Sequence, residues 1–257
     1  MPNFAANLSM LFTEYDFLDR FAAAADAGFK GVEYLFPYDY PLPELQRRLQ
    51  QASLVQVLHN LPAGDWNAGE RGIACLPGRQ DEFKRSVDLG INYATGLGCK
   101  QVNCLAGLRP ENVSFDEAWE TMLENVDYAA RQFEGHGITL LVEAINSRVD
   151  MPGFMLDSSE KAMSLLQALK RPNLLFQYDI YHMQIMEGHL METMRSLLDS
   201  IGHIQFADNP GRHEPGTGEI NFDFIFQALD QMGYRGWVSA EYRPLESTLS
   251  SLDWFKS

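Results

Sequence analysis

The sequence predicts a single-domain (β/α)8 barrel, a TIM barrel, over residues 1–257, and three observations carry that expectation. Short apolar runs of strand length alternate with helical patterns, and regular β–α alternation means a parallel sheet. Eight such units fit into 257 residues, close to the roughly 250 of a typical closed barrel. Four successive apolar runs also carry a polar oxygen near their C-terminal end: Glu143 in ITLLVEAIN, Asp179 in LLFQYDI, Gln205 in HIQFAD and Glu241 in WVSAEY. The competing arrangement is an open doubly wound sheet. Neither G-x-G-x-x-G nor G-x-x-x-x-G-K-[ST] occurs, so that arrangement lacks its main nucleotide-binding support.

Taken in order, residues 4–8 form the first strand candidate. Thr13 or Asp16 can cap the helix that follows, with Phe17, Phe21, Ala24 and Ala25 on its apolar face and Gly28 at its end. Residues 31–36 read as the second strand, broken by Pro37. A helix over 42–51 leads to a third strand at 54–58, with His59 at its end. Residues 62–78 are a long loop without periodicity, a length associated with functional loops, and hold the charges Glu70 and Arg71. A helix over 79–97 presents Phe83, Val87, Leu89 and Tyr93 to the core and stops at Gly98. The fourth strand is 101–105, followed by a helix over 114–133 opened by a capping box, Ser114 with Glu117.

Residues 138–142 are five apolar or β-branched residues in a row, the mark of a strand buried on both faces, and Glu143 follows at once. Helices at 158–169, 187–201 and 221–232 then alternate with strands at 174–180, 203–208 and 237–242, and residues 247–256 close the chain as a short helix.

Composition narrows the function. Hydrophobic residues make up 46%, enough for a sizeable core. The net charge of −15 repels phosphate backbones, so nucleic acid is not an expected partner. The cysteines, Cys75, Cys99 and Cys104, are odd in number and form no C-x-x-C, which argues against a disulfide framework and a zinc–thiolate site. The start, MPNFAANLSMLF, has no positive n-region, and no run reaches the roughly 18 apolar residues of a membrane span. The expectation is a soluble cytoplasmic protein with no membrane partner. The 12% aromatic content suits a homo-oligomer interface and a large core equally.

In a β/α barrel the C-terminal strand ends meet at one face, where active sites sit. Glu143, Asp179, Gln205 and Glu241 therefore converge as a hard, oxygen-rich set, better suited to Mg²⁺ or Mn²⁺ than to Zn²⁺ or Cu²⁺. Three converging carboxylates without a cation raise one another's pKa values, so either a metal sits there or one of them holds a proton. Glu33 has a similar place on the second strand, but a single acid at a strand end is more often a loop cap, and it is left outside this set. His203 reads as structural or functional equally, His136 and His189 as solvent-facing, Trp66 and Trp237 as packing, and Cys75 as inert.

The blocks FAANLSMLFTEYDF, GVEYLFPYDY, HNLPAGDWNAGERGIACLPGR, VEAIN, QYDIYHMQ, ADNPGRHEPGTGEINF and WVSAEY span nearly the whole chain. Together they resemble the hydroxypyruvate isomerases, a branch of the xylose-isomerase-like superfamily. The resemblance implies isomerisation of hydroxypyruvate to 2-hydroxy-3-oxopropanoate (tartronate semialdehyde) with no organic cofactor. It casts Glu143 and Glu241 as the acid/base pair, and as metal ligands with Asp179. His182 in D-x-x-H matches a substrate-oxygen contact, and Arg212 a substrate-binding arginine. Where sugar epimerases of the superfamily commonly place a histidine ligand, the register here gives Gln205.

The chemistry agrees with that resemblance. Moving a proton between adjacent carbons through an enediolate needs a base on one carbon and an acid on the other. A substrate carboxylate needs a cation, for which Arg71 and Arg212 are candidates, and His59 and His182 can bind hydroxyls or shuttle their protons. The alternatives are an isomerase or epimerase of a four-carbon oxo-acid (2-oxo-tetronate) or a ketose sugar, a metal-dependent hydrolase on the same barrel, and a non-enzymatic sugar-binding barrel. The last has no need of three converging carboxylates.

Overall fold

The computed structural model describes residues 1–256. Eight parallel strands close into a barrel in sequence order, and the eighth pairs with the first. They are β1 (Asn3–Asn7), β2 (Gly31–Glu33), β3 (Val55–Asn60), β4 (Gln101–Cys104), β5 (Thr139–Glu143), β6 (Leu174–Asp179), β7 (Ile201–Phe206) and β8 (Trp237–Ala240). The helices between them are α1 (Arg20–Asp26), α2 (Leu42–Ala52), α3 (Gln80–Leu97), α4 (Phe115–Glu134), α5 (Ser159–Leu169), α6 (Ile180–Met186), α7 (Leu190–Ser196) and α8 (Phe222–Gln231), with α9 (Asp253–Lys256) at the end.

Local sequence explains where the elements start and stop. The Ser114 hydroxyl accepts from the Glu117 N–H (3.2 Å) and the Ser158 hydroxyl from the Lys161 N–H (3.2 Å), each satisfying a donor at a helix N-terminus. Asp179 ends β6 and caps α6 at once, its Oδ1 accepting from the Tyr181 N–H at 2.8 Å. The sequence expectation of one helix over 187–201 is therefore corrected. The chain turns helical directly after β6, breaks at Gly188 (φ +66°) and His189 (φ +51°), and restarts as α7. The second strand is shorter than the expected 31–36, because its pairing with β3 shifts register between Val32 and Glu33. Asp16 precedes a 3₁₀ turn (Phe17–Asp19) without capping it through its side chain. Leu89 faces outward on α3 at 39% exposure, against the expectation that it packs inside.

Most of the core lies between sheet and helices, built from residues such as Phe21, Val87, Phe133, Leu165 and Phe206. A second, smaller cluster (Ala5, Val57, Leu58 and Leu141, with Leu175 and Trp237) fills the barrel floor. Gly31 makes room there: a Cβ on it would lie 2.7 Å from the Trp237 ring. All three cysteines are buried and unpaired, and burial pushes each thiol up to about 12, so none is a nucleophile at neutral pH. Among the described residues no helix is long and apolar enough to cross a membrane.

Candidate active site

Above the apolar floor, every strand contributes a buried polar side chain at its C-terminal end. Glu143 and Asp179 close β5 and β6, Gln205 is the penultimate residue of β7, and Glu241 directly follows β8. Asn7, Glu33, Asn60 and Asn103 occupy the matching places on the other four strands. Barrel closure brings them together. Asn103 Nδ2 donates to Glu143 Oε2 (2.8 Å) and to Asn60 Oδ1 (3.1 Å). Asn7 Nδ2 donates to Glu241 Oε1 and to Glu33 Oε1, both at 2.9 Å. Each of the two outer glutamates is thus oriented by an asparagine on a neighbouring strand.

One cation stands among the carboxylates. Arg212, from the loop after β7, puts Nη2 2.5 Å from Glu241 Oε2 and 3.6 Å from Asp179 Oδ2, and its guanidinium lies 5.0 Å from the Tyr181 ring centroid. It adopts a left-handed backbone conformation (φ +60°), an uncommon state for a residue with a side chain, which here delivers the guanidinium to the mouth.

Burial raises all three acids. Glu143 is held well above the usual carboxylate range by desolvation, then by Glu241 and Asp179. Glu241 is pushed up to about 8 by desolvation, with Arg212 pulling the other way. Asp179 is also raised by desolvation, against the pull of Arg212 and two backbone N–H groups. An unfolded glutamate ionises at pH ~4.3, so between there and about pH 8 the folded chain holds a proton that the unfolded chain has released. Stability contributed by Glu241 therefore falls as pH rises through that window. The expected result in chelator is a Tm difference, Glu241→Gln minus wild type, that grows steadily from pH 5 to pH 8. A pH-independent difference would contradict the raised pKa.

The donor set suits a cation. Glu143, Asp179 and His182 present ligand atoms that all lie within 4.8 Å of one another. Asp179 Oδ2 is buried with no hydrogen-bond partner among the described residues. Gln205 is also at this place, but its amide is turned: Oε1 accepts from Gln177 Nε2 (2.6 Å), and Nε2 donates to Glu33 Oε1 (2.7 Å) and Glu241 Oε1 (3.2 Å). Gln205 thus offers the carboxylates its nitrogen, where a metal ligand needs the oxygen, and would have to turn over to serve as one.

The remaining candidates divide. Arg71 lines the cavity at this face, together with Trp66, Glu143, His182, Arg212 and Glu241, and the cavity measures about 590 Å³. The Arg71 guanidinium stacks 4.2 Å from the Trp66 ring centroid and makes no ion pair among the described residues. Glu70 is bound to Arg79 and to the Asp65 N–H, which makes it a loop brace. His59 is a correction. Its buried ring packs against Tyr38 (centroids 6.0 Å apart) beside the Gly90 backbone of α3, outside the cavity, and burial lowers its pKa to about 4. The next residue, Asn60, reaches the cavity instead. Glu33 is a second correction: it is no loop cap but a buried acid paired with His203 (2.7 Å) and joined to Asn7 and Gln205. That pairing gives His203 its structural role.

Sequence reading also passed over Asn146, Asp150 and Arg243. The latter two line the cavity, and Asn146 bridges Asp150 and His182. These residues lie beyond strand ends, where no periodicity marks them. Asn7 and Asn103 did carry a signal, a lone polar residue near the end of an apolar strand.

Comparisons with known proteins show which family the chain resembles. A family model described as xylose isomerase-like TIM barrel matches residues 21–257. The chain is similar to hydroxypyruvate isomerase of Escherichia coli (strain K12), 52% identical over 254 residues, covering 99% of this chain and 98% of that one. It is also similar to 2-oxo-tetronate isomerase of Pectobacterium atrosepticum, 45% identical over 254 residues and covering 99% and 97%. Among solved structures, one described as AP endonuclease, family 2, from Brucella melitensis superposes with a TM-score of 0.97 at 46% identity, covering 100% and 98%.

Proposed function

The chain belongs to the hydroxypyruvate isomerase family of xylose isomerase-like TIM barrels, and from that premise we propose that it interconverts hydroxypyruvate and 2-hydroxy-3-oxopropanoate through an enediolate. The observation that carries the reading is the pair Glu143 and Glu241. Both are buried at one mouth, both have raised pKa values, and each is oriented by an asparagine donor. Without a cation, two acids raised by burial can stand with one ionised and one protonated, which is what a base and an acid acting on adjacent carbons require, and a bound cation would pull both pKa values down.

In the forward direction an ionised glutamate takes a proton from C3 of hydroxypyruvate. The C3–H pair becomes the C2=C3 bond, and the carbonyl pair moves onto O2. A protonated glutamate then delivers a proton to C2 while O3–H collapses to the aldehyde, and the proton leaving O3 passes to O2 to give the C2 hydroxyl. Glu143, Asp179 and Glu241 would hold a divalent cation, Mg²⁺ or Mn²⁺, whose charge stabilises the enediolate oxygens, with Gln205 joining once its amide has turned over. Arg71 and Arg212 would face the substrate carboxylate; Arg71 makes no ion pair among the described residues, and with Nη1 donating to the Trp66 and Glu70 carbonyls its Nη2 and Nε are the donors it would offer.

A second reading, isomerisation of 2-oxo-tetronate, is favoured by the 45% identical relative and by the cavity. At about 590 Å³ it falls within the range of roughly 300–1,000 Å³ typical of small-molecule sites, so a fourth carbon would fit. A phosphodiesterase acting on DNA has less support, because the charge of −15 and a mouth lined by carboxylates repel a phosphate backbone. The test is kcat/KM on both oxo-acids, before and after exhaustive chelation and with Mg²⁺ or Mn²⁺ returned. The expected result is turnover of hydroxypyruvate that chelation removes and either metal restores. A tenfold preference for the four-carbon acid would move the substrate, and no turnover of either would overturn the reading.

A further inference from the structure

We propose that Asn146 fixes His182 in the tautomer whose proton sits on Nε2, making His182 a hydrogen-bond donor to a substrate oxygen and removing it from the metal ligands. The tautomer rests on geometry alone, and the substrate role rests on the isomerase reading above.

The orientation of the Asn146 amide is set by its oxygen. Oδ1 accepts from the Val149 N–H (3.0 Å) and the Asp150 N–H (2.9 Å). Backbone N–H groups only donate, so the end of the amide that faces them must be the oxygen. The NH₂ end is then forced toward the site, where it meets Asp150 Oδ2 at 2.5 Å and His182 Nδ1 at 2.7 Å. All four hydrogen-bonding positions of the amide are thereby used.

An amide NH₂ cannot accept, so His182 Nδ1 must supply a lone pair. A ring with an unprotonated Nδ1 is neutral and carries its proton on Nε2. Complete burial and the nearby Arg212 charge also hold the ring neutral, with its pKa well below the usual histidine value.

His182 Nε2 lies 3.5 Å from Asp179 Oδ2 and 4.0 Å from Glu143 Oε1. Both distances are beyond good hydrogen-bond range and His182 lines the cavity, so the Nε2 proton is available to a substrate oxygen there. A nitrogen that carries a proton has no lone pair for a metal. Of the three groups within 4.8 Å of one another, the cation is therefore left to Glu143 and Asp179, joined by Glu241. A neutral imidazole N–H in that position polarises a carbonyl and stabilises charge developing on its oxygen, without the mobile proton of an imidazolium. Asn146 acts through His182 and is a positioning residue.

The test is long-range ¹H–¹⁵N NMR of the metal-free protein labelled with ¹⁵N-histidine. His182→Gln identifies the His182 signals among the six histidines. The expected spectrum has a protonated, pyrrole-type Nε2 and a pyridine-type Nδ1, and the reverse pattern would overturn the inference. The double variant Asn146→Asp with Asp150→Asn exchanges donor for acceptor while keeping the atoms in place. The His182 proton should move to Nδ1, and kcat on hydroxypyruvate should fall by about 10²-fold or more, the scale for losing one donor to a developing oxyanion. A tautomer that does not move would overturn the role of Asn146. A tautomer that moves with kcat unchanged would overturn the donor role of His182. A wild-type protein without hydroxypyruvate turnover would count against the isomerase reading alone, because the NMR pattern is read without substrate.

Discussion

Glu143→Gln and Glu241→Gln should each lower kcat on hydroxypyruvate by about 10³-fold, within the range for removing a general acid or base, and leave the barrel folded. The amide is nearly isosteric with the carboxyl but neither takes nor gives a proton at neutral pH. The two variants should differ in stability. At position 143 the new amide oxygen can still accept from Asn103, and a buried acid destabilised by Glu241 and Asp179 is gone, so Tm should hold or rise. At position 241 the carboxylate accepts from Asn7, Gln205 and Arg212, and a single amide oxygen cannot replace both carboxylate oxygens. Glu241→Gln should therefore be the less stable of the two at low pH. The double variant should be little slower than either single one, because groups that act in one proton transfer are not additive. Rates within threefold of wild type in both single variants would remove the acid/base assignment.

Arg212→Met should have the largest effect on stability. The guanidinium is the cation facing Glu241 and Asp179, and removing one partner of a buried ion pair costs about 3–5 kcal/mol. The loss should be larger at pH 8 than at pH 5, because at pH 5 the two raised carboxyls can take protons in place of the arginine. KM for the oxo-acid should rise by about 100-fold, the lower part of the range for a desolvated charge contact. Arg212→Lys should recover little of either, since an ammonium cannot hold the rigid set of contacts the guanidinium makes, Nη2 to both carboxylates and Nε to the Glu241 carbonyl. Urea denaturation at the two pH values and steady-state kinetics check both halves. A stability loss independent of pH would mean that the raised carboxyls do not rely on Arg212.

These effects trace back to residues that were unequally visible in the sequence. Glu143 stood out because five apolar or β-branched residues run straight into it, and Asp179 and Glu241 likewise stand at the ends of largely apolar strands. The barrel was legible for the same reason: apolar strands buried on both faces are short, and their alternation with helices was regular. The other half of the mouth was not. Asn7, Asn60 and Asn103 are uncharged, and a lone polar residue near a strand end points to no chemistry until closure sets Asn7 and Asn103 against glutamates and Asn60 against Asn103. Glu33 looked like a loop cap because its partner, His203, lies 170 residues away.

His59 failed on parity. His59 and Asn60 are adjacent polar residues at the end of β3, only one of them can face the barrel interior, and the irregular pairing beside Glu33 hides which. The split between α6 and α7 was hidden because Asp179 serves two purposes, as a site carboxylate and as a helix cap.

In the proposed reaction a proton moves between C3 and C2 of a small oxo-acid at Glu143 and Glu241. Hydroxypyruvate should be incubated with the metal-supplemented enzyme in D₂O and followed by proton NMR. The prediction is 2-hydroxy-3-oxopropanoate carrying deuterium at C2, loss of protium from C3 of recovered hydroxypyruvate, and neither change with Glu143→Gln or Glu241→Gln. Product formed at the wild-type rate by both variants, or hydroxypyruvate recovered unchanged from the wild-type enzyme, would contradict it.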